Sequence, residues 1–75
     1  MPKLPQVKPK TIKKVLIKLG FSSRSGKGSH MVFKHPDGRR TVIPMHNRPV
    51  RIGTLRAILK QVDLTTEEFL RLIKK

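Results

Sequence analysis

Seventy-five residues allow one domain with a small core, since a chain of about this length buries only about 60% of the surface that its unfolded form exposes. Eighteen Lys and Arg against four Asp and Glu give a net charge of +14, which points to a polyanionic partner, RNA or DNA ahead of anionic lipid or an acidic protein. The lack of cysteine excludes a disulfide framework and a thiolate metal site, and it favours a reducing compartment.

Residues 1 to 8 read as an extended, proline-punctuated, flexible tail, and residues 9 to 75 as the folded domain. The opening MPKLPQVKP has no apolar run of the kind a signal peptide needs, and no stretch is apolar enough to span a bilayer. A soluble cytoplasmic protein with no membrane partner is therefore expected.

Pro9 suits a first helical position. Ile12, Val15, Leu16 and Leu19 then recur at the spacing of one helix face, with Lys10, Lys13, Lys14 and Lys18 on the other side and Gly20 as the stop. Those lysines form either a solvated face or an RNA-binding ridge. After Gly20 the period changes. Phe21 to Arg24, a weak strand, and Ser29 to His35 read as strands joined around Gly26 and Gly28. Pro36, Asp37 and Gly38 carry the turn chemistry of a hairpin into a third strand, Arg40 to Pro44.

PMHNRPVRI has no usable period and reads as a loop. Thr54 is a possible cap for a second helix marked by Leu55, Ile58, Leu59 and Val62. Thr65 and Glu68 have the spacing of a capping box before Phe69, Leu72 and Ile73, which mark a short final helix. The order predicts an α+β two-layer sandwich: a helix, a three-stranded antiparallel sheet and a helix, in the manner of double-stranded-RNA-binding folds, with a short C-terminal helix added.

The chemistry available is narrow. Asp37, Asp63, Glu67 and Glu68 are the only carboxylates, one in a turn and three around a helix start, so neither a carboxylate pair nor a metal site is expected. Ser29 and His30 are neighbours on a strand and point to opposite faces, which excludes a serine–histidine pair. GKGS precedes a strand, unlike a P-loop.

What remains is histidine among cations. Alternation puts His30, Val32 and Lys34 on the solvent face and Met31, Phe33 and His35 on the other. Lys27 lies just upstream, and Arg39 or Arg40 lies across the hairpin. No acidic residue precedes Asp37, so nine basic residues have no local counter-ion. That setting suits metal-free cleavage of RNA, in which His30 takes the proton of a 2′-hydroxyl while cations stabilise the charge on phosphorus. The plainer reading makes His30 a surface or hydrogen-bonding residue. His35, before Pro36, reads as structural. His46, in the proline-flanked loop, is a second candidate.

KGSHMVFKHPDGRRTVIPMH, followed by GTLRAILKQ and LTTEEFLRLI, resembles the HicA toxins of bacterial and archaeal toxin–antitoxin systems, over roughly residues 9 to 73. The resemblance implies an mRNA interferase with a double-stranded-RNA-binding-like fold, catalysed through the histidine of the Gly-Ser-His motif, here His30. It also implies a HicB-type antitoxin that covers the site. Lys27, Gly28, Ser29, Lys34, Arg39 and Arg40 are the RNA-binding candidates beside it, with no cofactor or metal and a monomer when free. The family commonly places a small residue and a glycine after the second helix, where this chain has Val62 and Asp63. The alternative from a different class is a noncatalytic RNA-binding module of the same fold.

Overall fold

The computed structural model describes residues 3–74. Helix α1 (Pro9–Lys18) is followed by strands β1 (Ser22–Ser25), β2 (His30–Lys34) and β3 (Arg40–Pro44), then by helices α2 (Ile52–Gln61) and α3 (Thr66–Ile73). The strands form one antiparallel sheet in the order β1-β2-β3. The expected α+β arrangement is the one observed.

The helices cover one face of the sheet. Ile12, Val15 and Leu16 of α1, Phe33 and Ile43 of the sheet, Leu55, Ile58 and Leu59 of α2, and Phe69 of α3 are all buried in one cluster. The register places Val32 opposite Val42 and Phe33 opposite Thr41, so inward and outward positions alternate cleanly along β2 and β3. Thr41, inward-facing and buried, donates its hydroxyl to Gln61 Oε1 at 2.6 Å, which satisfies its polar atom.

Both long helices end in the same way. In α1, Phe21 N–H donates to Leu16 O and Gly20 N–H to Ile17 O, with Gly20 at φ +97°; in α2, Leu64 N–H donates to Leu59 O and Asp63 N–H to Lys60 O, with Asp63 at φ 56°. These are Schellman closures, in which a left-handed residue reverses the chain and supplies donors to freed carbonyls. Glycine takes that conformation at no steric cost; Asp63 takes it at some cost.

The β2–β3 hairpin then ties both helix ends down. Gly38 N–H donates to His35 O across the Pro36–Asp37 turn, and Gly38 has φ +101°. His35 Nε2 lies 3.0 Å from Leu19 O, the end of α1, while Arg39 Nη1 donates to Val62 O, the end of α2, at 2.6 Å. Phe21 sits between them, edge-on to the His35 ring at 5.0 Å and beneath the Arg39 guanidinium at 5.2 Å. The expected structural role of His35 is therefore observed.

Two expectations need correction. Thr54 does not cap α2, which begins at Ile52 with Arg51 as its N-cap and no side-chain cap; Thr54 lies inside the first turn. The tail is not loose along its length. Residues 3–8 lack regular structure, but Leu4 and Val7 pack against the core and Val50 N–H donates to Val7 O at 2.8 Å. An apolar residue at every third position was enough to strap an otherwise polar segment down. Met1, Pro2 and Lys75 lie outside the described residues. The capping box is as expected: Glu68 N–H donates to Thr65 Oγ1 at 3.1 Å, and Thr65 N–H to Glu68 Oε1 at 3.0 Å.

Candidate active site

His30 opens β2 on the face of the sheet that the helices leave bare. Its backbone is held at the hairpin from β1: Gly26 N–H donates to His30 O at 2.9 Å, and His30 N–H donates to Lys27 O at 3.1 Å. Gly28 has φ +61° with open space around it, so backbone conformation rather than room demands a glycine there. At Gly26 the opposite holds. A Cβ there would stand 3.1 Å from His30 O, closer than an ordinary contact.

The His30 side chain is exposed, and among the described residues no group hydrogen-bonds its ring. The other two histidines are committed. His35 holds the end of α1, and His46 Nδ1 accepts from Arg48 N–H at 3.2 Å.

Register defines what surrounds the ring. Lys34 stands opposite Arg40, Val32 is flanked by Arg24 and Val42, and His30 faces Pro44. Directly opposite positions have Cβ atoms about 4.5–5.5 Å apart, and diagonal ones reach about 7–8 Å, within range of long side chains. Lys34 and Arg40 are therefore cross-strand neighbours, and Arg24 lies diagonal to both His30 and Lys34. Two like charges directly opposite each other destabilise a sheet. A bound polyanion would reverse the sign of that interaction.

Of the expected RNA contacts, Lys27, Gly28 and Ser29 lie in the loop beside His30, and all three are exposed. Lys34 and Arg40 share its face. Arg39 does not join them. It lies on the helix side of the hairpin, with Nε 2.8 Å from Asp37 Oδ2 and Nη1 on Val62 O, so its donors are used within the fold.

Arg24 was missed in the sequence because SSRS shows no apolar alternation; only its pairing with β2 gives its direction.

Two of the carboxylates are committed within the fold. Asp37 accepts from Arg39 N–H and Nε–H, and the Arg39 backbone N–H is the main cause that holds its carboxyl below the usual range. Glu68 is held low chiefly by the Thr65 backbone N–H. Among the described residues, no three His, Asp or Glu side chains come together as a metal site.

A family model described as the HicA toxin of bacterial toxin–antitoxin systems matches residues 9–64, from the start of α1 to the closure of α2. The chain belongs to the HicA toxin family. A search of curated proteins finds no match to it. The matched span contains the whole sheet and the Gly-Ser-His step at Gly28, Ser29 and His30, and it ends before α3. Membership assigns a toxin role within a toxin–antitoxin pair. No helix among the described residues is long and apolar enough to cross a membrane.

Proposed function

We propose that this HicA-family toxin is an endoribonuclease that cleaves single-stranded mRNA without a metal, with His30 as the proton-transfer group. The observation that carries the reading is the His30 ring itself: the only imidazole with neither nitrogen bonded among the described residues, on a bare face with Arg24, Lys34 and Arg40. A base there removes the 2′-hydroxyl proton. The resulting oxygen attacks the adjacent phosphorus, and the 5′-oxygen leaves with a proton taken from water. Products are a 2′,3′-cyclic phosphate and a 5′-hydroxyl end.

The cations do the rest. Lys34, Arg40 and Arg24 offset the charge that accumulates on the phosphoryl oxygens, and Lys27 with the Gly28 and Ser29 backbone holds the strand beside the ring. The same positive face fits an acidic antitoxin of HicB type, which would silence the toxin by covering it.

Cleavage of single-stranded RNA in excess EDTA, with mass analysis of the ends, tests this. We expect cyclic phosphate termini and no cut at a nucleotide whose 2′-hydroxyl is replaced by hydrogen. Cleavage that needs an added divalent ion, or that proceeds at the 2′-deoxy position, would remove the reading. The noncatalytic alternative predicts binding with no cut at all.

A further inference from the structure

The loop after β3 folds into a cavity of about 330 Å³, at the end of the sheet where His30 stands. His46, Arg48, Arg51 and Thr54 supply its polar lining, and Pro44 and Val50 supply apolar wall. Pro44 is also the residue that faces His30 across the β2–β3 ladder, so one wall of the cavity is a cross-strand neighbour of His30.

Its charge is uncompensated. Among the described residues no carboxylate lines it, and neither the Arg48 nor the Arg51 guanidinium has a hydrogen-bond or ion-pair partner. Thr54 Oγ1 is equally unengaged. Helix α2 starts at this wall with no acidic residue in its first turn and no side-chain cap, which adds backbone N–H groups of the same polarity.

The bond that holds His46 defines what its ring offers. With Nδ1 accepting from Arg48 N–H, the neutral ring carries its proton on Nε2. In that tautomer His46 presents an N–H donor at Nε2. Donors from an imidazole, two guanidinium groups and a hydroxyl, with no acceptor of negative charge among them, match a phosphate group.

We propose that this cavity is a second phosphate subsite, which takes the phosphodiester next to the one presented to His30. The assignment rests on the ribonuclease reading and extends it: the toxin grips its RNA at two consecutive phosphates, and His46 binds instead of completing an acid–base pair.

The test is binding of a fluorescein-labelled 2′-O-methyl RNA pentanucleotide, which lacks the attacking hydroxyl and stays intact. Anisotropy titrations across 50–200 mM NaCl would compare the parent protein, Arg48→Gln/Arg51→Gln, and Arg71→Gln/Lys74→Gln at the C-terminal end of α3, which removes the same charge elsewhere. The cavity variant should bind about fivefold or more weakly, with a log–log salt slope shallower by about 0.7 for one lost phosphate on a single strand. The α3 control should stay within about twofold of the parent. His46→Gln, which keeps a donor, should retain more affinity than His46→Ala. Thermal melts of each variant report folding. A cavity variant that matches the α3 control in both affinity and slope overturns the subsite. If the parent protein does not cleave RNA, or His30→Ala leaves cleavage intact, the ribonuclease reading or its assignment to His30 fails on its own, and the pentanucleotide titration still decides the cavity.

Discussion

His30 differs from the other two histidines in having nothing to hold. Its ring is exposed and unbonded, so its removal should cost the fold little, whereas Gly26 controls its position from the backbone. Gly26→Ala would push a methyl group to 3.1 Å from His30 O and displace the head of β2. RNA cleavage should drop about tenfold or more, since small displacements of a catalytic group are costly, while circular dichroism stays that of a folded protein. Unchanged cleavage would show that the hairpin tolerates the shift without moving the ring.

Asp37 gives the pH dependence. Its carboxyl is held below the usual carboxylate range in the fold, chiefly by the Arg39 backbone N–H. A lowered acid stabilises the native state above its unfolded pKa, and that contribution fades as pH falls through the folded value. Parent protein should therefore melt higher than Asp37→Asn at pH 7, and the gap should narrow as pH falls through the acid range. A gap that stays constant or widens on acidification would contradict the assignment.

Among the elements, the hairpin between β2 and β3 is the hub, because its residues close the C-termini of both α1 and α2. Arg39→Ala leaves Val62 O without its charged donor and uncovers Phe21, so about 1.5–3 kcal/mol of stability should be lost in urea unfolding. A loss below about 0.5 kcal/mol would show that the cap is not held in solution. Asp63 sits left-handed where glycine costs nothing, so Asp63→Gly should stabilise by about 1 kcal/mol. A lower melting temperature would contradict that.

Helices were legible from spacing: α1 begins at Pro9 and turns at Gly20, and Thr65 and Glu68 cap α3, because those signals are local. The inward–outward alternation of β2 was legible for the same reason. What escaped was whatever depends on partners far along the chain. Arg39 reads as one more surface cation until Val62, 23 residues later, is brought to its guanidinium. Arg24 takes its direction only from register with Val32. Leu4 and Val7 look like part of a loose tail until Val50 meets them.

At the scale of the molecule, carboxylates are spent on turns and helix starts, while six of the eighteen cations, Arg24, Lys27, Lys34, Arg40, Arg48 and Arg51, lie in the sheet and the loops at its end. The positive track runs from Lys34 and Arg40 past Arg24 and His30 to Arg48 and Arg51, and a smaller hollow carries it on to Lys8 and Lys10. Affinity for single-stranded RNA should therefore fall steeply with salt, with a log–log slope of about −2 to −3 for three or four neutralised phosphates. An affinity indifferent to salt would contradict any backbone grip.

The central claim is that one unbonded imidazole performs the chemistry and the cations perform the binding. The most direct measurement is single-turnover cleavage of single-stranded RNA in EDTA by parent protein and His30→Ala, with affinity measured beside it. A rate loss of about 10²–10⁴ with affinity within a few-fold is expected. A variant that cleaves as fast as the parent, or that loses RNA affinity in proportion to its rate, would contradict it.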